Sequence, residues 1–266
     1  MHFNCTATVP SKVILTGEHA VVYKKTAIAA AVQIFNRVTL TIHPGPAKVH
    51  LLFDGKETEY SWEVLPDHSS TVSVAGLVAF FLLKYFPDKP DFSFRIIVRA
   101  DAPLGSGLGS SASLCVALAG LLHVFARQLS RTGSVDLEAI NQAALEGETL
   151  VHGKASGIDN TVVTYGGVLS YDGVLMQPVP AQPFRLLIVN SNVPKLTSTT
   201  VARVRSLLEE DPELAQHLLD SVGLVSLRFK EKINSDLKAA QRLMGINHGL
   251  LHSLGVSSPE LDQIVA

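Results

Sequence analysis

Short alternating runs of apolar and polar residues fill the first part of the chain, and longer apolar runs appear only later, so strands are expected first and helices after them. Residues 3–9, 12–15 and 35–42 have the apolar, aromatic and β-branched content of strands. The last of these leads into the turn Pro44-Gly45-Pro46 and a partner strand at 49–53, closed by Asp54-Gly55. Residues 71–85 are apolar nearly all round and stop at Phe86-Pro87-Asp88, as a buried helix would. A strand at 92–98 enters a glycine-rich loop, and the apolar run 112–126 predicts a second buried helix. A third helix is expected over 134–151, with Ser134 as N-cap and Gly153 as stop. Gly157-Ile158-Asp159-Asn160 then reads as a turn, 161–164 as a strand, Gly166-Gly167 as a turn and 168–170 as a strand. The three prolines of 177–183 mark the expected domain boundary. After it come a strand at 184–189 and helices at 198–210, 213–243, 246–253 and from Pro259 onward.

Composition narrows the class. With 47% of 266 residues hydrophobic, the chain can bury one large or two modest cores. Lys and Arg (22) nearly balance Asp and Glu (24), the formal net charge is −2 and there is no basic run, which argues against nucleic acid as the main partner. An anionic ligand must therefore be held by local geometry. The apolar runs 71–83 and 112–126 fall short of the ~20 residues that span a bilayer, so no membrane partner is expected. Cys5 and Cys115 are too few for a disulfide framework or a metal cluster, which fits a reducing compartment, and no signal-peptide layout is visible.

The most informative segment is Pro103-Leu-Gly-Ser-Gly-Leu-Gly-Ser-Ser-Ala-Ser113, between the strand at 92–98 and the helix at 112–126. Gly105, Gly107 and Gly109 permit backbone conformations closed to other residues and a close approach to an anion. The free N–H groups at the helix start point at that anion, and Ser110 and Ser111 add hydroxyls for a phosphate oxygen or its Mg2+. The loop lacks the Gly-Lys-Ser/Thr ending of a P-loop, and it sits too far along the chain for a Rossmann fingerprint.

Three blocks together resemble the GHMP kinases, most of all their mevalonate-phosphorylating branch. They are Pro10-Ser-Lys-Val-Ile-Leu-Thr-Gly-Glu-His-Ala20, the glycine loop, and Glu146-Gly-Glu148 with His152-Gly153 and Ser156-Gly-Ile-Asp-Asn160. Val193-Pro-Lys195, Thr197, Asn247, Leu254-Gly-Val256 and Leu261-Asp-Gln263 extend the likeness nearly end to end. The resemblance implies an α+β, two-lobed fold: an N-terminal lobe like ribosomal protein S5 domain 2 over residues 1–180, and a ferredoxin-like C-terminal lobe over 181–266, with the ligands in the cleft between. It further implies ATP and mevalonate as ligands, Mg2+ as cofactor, and transfer of the γ-phosphoryl group to the C5 hydroxyl of mevalonate. A homodimer is compatible with it. The family's third glycine-rich block, Lys-Leu-Thr-Gly-Ala-Gly-Gly-Gly-Gly, would follow Leu261-Asp262-Gln263. No such block precedes Ala266, so the C-terminal lobe is expected to be incomplete.

The same resemblance assigns residues. Asp159 corresponds to the general base and Lys12 to the lysine beside it and the transferring phosphate. Gly105, Ser106, Gly107, Leu108, Gly109, Ser110, Ser111 and Lys12 correspond to the nucleotide site, Ser111 and Glu148 to the metal ligands, and Glu18, His19 and Thr197 to substrate contacts. His152, four residues after Glu148, suits an orienting role, whereas Glu146 suits solvent. Read without the resemblance, Asp159 is equally a turn residue, Lys12 a surface lysine, and Glu18 and His19 a turn acid and a satisfied histidine. Tyr60 and Trp62 suit core packing better than an adenine pocket. Another small-molecule acceptor, or a non-catalytic form that binds nucleotide or a partner, stays open. The cytoplasm is the expected location; Lys12-Val13 and His19-Ala20 have the spacing of a type 2 peroxisomal signal, but active-site chemistry accounts for the same residues.

Overall fold

The computed structural model describes residues 3–67, 73–102, 106–131, 134–153, 155–191, 193 and 197–266, with the side chains of 197–199 excepted. The residues form a mixed α/β fold with two compact units interleaved in sequence. One comprises Met1–Ser11, Val32–Leu104 and Leu108–Gly166; the other Lys12–Ala31, Gly105–Gly107 and Gly167–Ala266. Two long strands, β1 (Phe3–Thr16) and β2 (Ala27–Pro44), contribute residues to both units and pair with each other. Residues 3–9 and 12–15, expected as two strands, are one. Pro10 lies inside β1 because β1 has β2 as its single strand partner among the described residues, and an edge strand tolerates a missing donor.

In the first unit, β3 (Lys48–Phe53), β4 (Lys56–Ser61) and β5 (Phe92–Ala100) join β2 in the order β4-β3-β5-β2. The β3–β5 pair is parallel and the others antiparallel. On β2 and β5 every second residue faces the core. Val38, Leu40 and Ile42 are buried and register with Val98, Ile96 and Phe94. Four helices belong to this unit: α1 (Val74–Tyr85), α2 (Ser110–Ser130), α3 (Leu137–His152) and α4 (Ile158–Tyr165). They enclose one core whose centre is aromatic, with Phe125 against Phe3, Phe86, Phe92 and Phe94 at ring-centroid distances of 4.8–6.5 Å. Trp62 stacks on Phe94 at 5.8 Å, so it is a core residue as expected. Helix α2 has the length and apolarity of a membrane span, but 67% of its most apolar stretch is buried inside the fold.

Two local expectations change here. The third helix starts at Leu137, capped by Asp136 accepting from the Ala139 N–H at 3.1 Å, rather than at Ser134. Residues 161–164 are the second half of α4, not a strand. Their β-branched content favours either state weakly, and Val162 and Val163 are buried because α4 packs on α2 and α3.

In the second unit, Ala27–Ala30 of β2 pair antiparallel with β6 (Val168–Tyr171), which pairs with β7 (Met176–Pro178). Helices α5 (Thr197–Glu210), α6 (Pro212–Lys232), α7 (Leu237–Ser253) and α8 (Pro259–Val265) follow. The helix expected over 213–243 is two helices. The chain breaks at 233–236, and Asp236 caps α7 through the Ala239 N–H at 3.0 Å. Residues 184–189 form no strand. Phe184 and Leu186 pack toward Phe229, Ile233 and Ala240 while Leu187 is 91% exposed, so the alternation is present, but a strand also needs a ladder partner.

Candidate active site

Helix caps separate the site from the rest of the fold. Helices α1, α3, α6, α7 and α8 each begin with a Ser or Asp side chain accepting a first-turn N–H. Helix α2 begins instead at Gly109, in the left-handed region (φ 70°), with no side-chain cap. Its first-turn N–H groups therefore face outward with the positive end of the helix dipole behind them, the arrangement that binds phosphate. Gly107 is also left-handed (φ 77°), as the loop requires. Ser113, one turn into α2, anchors this end from below. Its hydroxyl, fully buried, lies 2.8 Å from the Pro10 carbonyl and 3.0 Å from the Gly109 carbonyl and donates to both. Gly105 lies outside the described residues.

Ser111 and Glu148 come from different helices and meet at one imidazole. Ser111 Oγ lies 3.2 Å from His152 Nε2, and Glu148 Oε1 lies 3.9 Å from the same nitrogen. Glu148 is 3% exposed on α3, a burial that a carboxylate rarely tolerates without charged or hydrogen-bonding neighbours. A hydroxyl and a carboxylate that both approach one ring nitrogen, at 3.2 and 3.9 Å, are oxygen donors of the kind that suits a hard divalent cation completed by phosphate oxygens and water. Glu146, two residues earlier, points away and pairs with Lys84 Nζ at 2.8 Å.

Asp159 is half-buried in the first turn of α4, which starts at the left-handed Gly157 (φ 81°). Helix α4 is bolted to α3 by buried amides. Asn160 Nδ2 donates to Asn141 Oδ1 at 2.6 Å and to the Asn141 carbonyl at 3.2 Å, and Asn141 Nδ2 donates to Thr161 Oγ1 at 3.3 Å. That network fixes the helix bearing Asp159 to the helix bearing Glu148. The first unit also has a cavity of about 580 Å3 between the Asp54-Gly55 turn and the end of β5, lined by Leu52, Phe53, Ile97, Val98 and Arg99 among others. It adjoins the strand that runs toward the glycine loop. Tyr60 and Trp62 do not line it.

In the second unit Lys12 is 5% exposed on β1, far from the solvated lysine that its place after a proline suggested. Gly17-Glu18-His19 forms a tight corner at the end of β1. Gly17 is left-handed (φ 94°), and a Cβ there would lie 2.4 Å from both Ala27 Cα and the Thr26 carbonyl oxygen, so no other residue fits. His19, with a side chain, also has positive φ (62°). Asn247 of α7 meets this corner, a contact that sequence reasoning missed. Its signal was the family likeness around it, not any local pattern. Thr197 begins α5; its side chain lies outside the described residues.

The GHMP kinases N terminal domain family matches residues 71–167. The mevalonate kinase of Thermococcus gammatolerans is 35% identical over 97% of this chain and 80% of its own length, and that of Arabidopsis thaliana is 31% identical over 97% and 83%. Among solved structures, Methanococcus jannaschii mevalonate kinase shares the fold, with TM-score 0.77 and 24% identity across 98% of this chain and 83% of that one. L. major mevalonate kinase in complex with R-mevalonate gives TM-score 0.76 and 25% identity across 99% and 79%. The chain belongs to the mevalonate kinase family of the GHMP kinases.

Proposed function

We propose that this protein transfers the γ-phosphoryl group of ATP to the C5 hydroxyl of mevalonate, giving 5-phosphomevalonate and ADP. The observation that carries the reading is the meeting of Ser111 and Glu148 at His152, beside the uncapped start of α2. Such a site holds polyphosphate at the helix N-terminus with a divalent cation next to it. Ser111 and Glu148 would hold that cation, which we take to be Mg2+, with His152 orienting both. When bound, the ion supplies neutralisation of the phosphate charge. The cavity between the Asp54-Gly55 turn and β5 is the place we assign to the nucleoside end of ATP, since β5 leads from it toward the glycine loop.

The chain's own residues supply the rest. Asp159 accepts the proton of the attacking hydroxyl, and a carboxylate suffices because a loose phosphoryl-transfer transition state asks little of the base. Lys12 provides a buried positive charge for the transferring phosphoryl group. Glu18 and His19 take the hydroxyl and carboxylate of the acceptor. A cytoplasmic location is part of the same proposal and is supported by the two free thiols, Cys5 and Cys115.

The test is a coupled ADP-release assay with ATP, Mg2+ and (R)-mevalonate. Turnover is expected for the parent chain and not for Asp159→Ala, which should still bind ATP. Glu148→Gln should raise the Mg2+ concentration at half-maximal rate. Substantial turnover by Asp159→Ala, or an unchanged Mg2+ titration for Glu148→Gln, would refute the corresponding role.

A further inference from the structure

We infer that Asn247 is the positioning residue that aims Glu18 at the acceptor substrate, and that it sets the KM for that substrate without touching it. The inference rests on Glu18 being a substrate contact, as proposed above. Asn247 lies on α7, 2% exposed, and both ends of its amide are used on two consecutive residues of the corner after β1. Its Oδ1 accepts the Gly17 N–H at 3.3 Å, and its Nδ2 donates to Glu18 Oε2 at 3.0 Å. The amide orientation follows from these partners, since an N–H needs an acceptor and a carboxylate needs a donor.

The corner needs such a clamp. Gly17 and His19 both sit at positive φ, and residues held there persist only where the surroundings over-determine them. Backbone bonds close the corner on its own side, from the Ala20 N–H to the Glu18 carbonyl at 2.7 Å and from the Val21 N–H to the Gly17 carbonyl at 3.1 Å. These bonds fix the main chain but not the direction of the Glu18 side chain. Asn247 joins the two: one amide ties the Gly17 backbone and the Glu18 carboxylate to a single point on a long helix. Of the twenty side chains, asparagine is the one short enough for this gap that offers an acceptor and a donor side by side. Aspartate keeps the acceptor but turns a second carboxylate toward Glu18; alanine or leucine removes both bonds and leaves the Gly17 N–H and the carboxylate to find other partners.

Two substitutions at Asn247 test this geometry. If Asn247 only held the fold together, Asn247→Asp and Asn247→Ala would both lower stability and would move the KM values for mevalonate and ATP together. If it positions Glu18, Asn247→Asp is the more damaging to acceptor binding, because it repels the carboxylate instead of directing it. Steady-state kinetics on the full chain should show the KM for mevalonate rising about tenfold or more in Asn247→Asp, the loss of one hydrogen bond to a charged group. The KM for ATP should stay within about twofold, and Asn247→Ala should fall between parent and Asn247→Asp. A second readout is independent of turnover: hydrogen exchange of the peptide spanning Gly17 to Val21. In Asn247→Asp the Gly17 amide keeps its acceptor and should remain protected, whereas in Asn247→Ala it should exchange faster. A parent chain without mevalonate turnover would sink the functional reading, while the exchange arm would still decide whether the clamp exists. Equal protection of Gly17 in parent and Asn247→Ala, or KM values for mevalonate and ATP that move together, would overturn the inference.

Discussion

Replacing Gly147 with alanine sets helix propensity against packing, and the structure decides the sign. Gly147 lies inside α3, where alanine favours the helix by about 1 kcal/mol. A Cβ at that position would lie 2.8 Å from Phe81 Cζ, 2.9 Å from Cys115 Sγ and 3.0 Å from Phe81 Cε2. Phe81 on α1 and Cys115 on α2 are both fully buried, so neither swings aside without disturbing the core. Overpacking a filled core costs about 1–3 kcal/mol, and the upper end applies because two of the contacts fall below any distance that real Cβ atoms show. The net result is destabilisation by about 2 kcal/mol, a fall of roughly 4–8 °C in melting temperature for a chain of this size. Glu148 is the next residue, so a displaced α3 also shifts its carboxylate, and under the role proposed for Glu148 the Mg2+ requirement should rise. Thermal melting and a Mg2+ titration of ADP release measure the two effects. A variant that melts at or above the parent temperature with an unchanged titration would refute the packing argument.

Three further outcomes follow from the same structure. Phe125→Ala removes the ring at the centre of the aromatic cluster and should cost about 3–5 kcal/mol in urea unfolding; a loss below about 1 kcal/mol would mean that the cluster does not hold the core. Burial, and after it the Glu148 charge, pushes the Cys115 thiol well above its ordinary value, so a thiol-specific reagent should leave Cys115 unmodified in the folded protein while it labels the half-buried Cys5, and equal rates would contradict this. Asp262 is held below the ordinary carboxylate value, first by the Ser257 hydroxyl at 2.6 Å and then by His248 and His252 at 2.9 Å each. A depressed acid stabilises the fold above its unfolded value and loses that contribution as pH falls through its folded value, so α8, which buries none of its residues, should detach first in acid. The protection of 257–266, taken relative to the intrinsic exchange rate at each pH, should therefore fall on acidification in the parent and be low throughout in Asp262→Asn; pH-independent protection in the parent would exclude the latch.

Much of the architecture was legible because its signals are local. Long apolar runs marked α1 and α2, the strand-like runs 35–42 and 92–98 marked the second half of β2 and most of β5, and Pro259 marked the start of α8. Where two states are locally balanced, the tertiary contacts choose between them. Residues 161–164 are as good a strand as a helix by composition, and only the Asn141–Asn160 hydrogen bonds and the packing on α2 and α3 choose the helix. Residues 184–189 have a strand's alternation without a ladder partner. The break at 233–236 was hidden because hydrophobic periodicity continues across it, although Asn234-Ser235-Asp236 is a cap signal in its own right.

By itself the sequence determined the glycine-rich turn that leads into α2, with Gly107 and Gly109 in the left-handed region, and the apolar helix that follows, because each depends on residues a few positions apart. Only the tertiary structure decided which distant side chains share a point in space. Ser111 and Glu148 converge on His152 because α2 packs on α3, Lys12 is buried rather than solvated, and Asn247 reaches Glu18 across a sequence separation of 229 residues. Backbone conformation is a property of neighbours in the chain, whereas the position of a functional group is a sum over every packing contact between its helix and the next, and no local pattern encodes that sum.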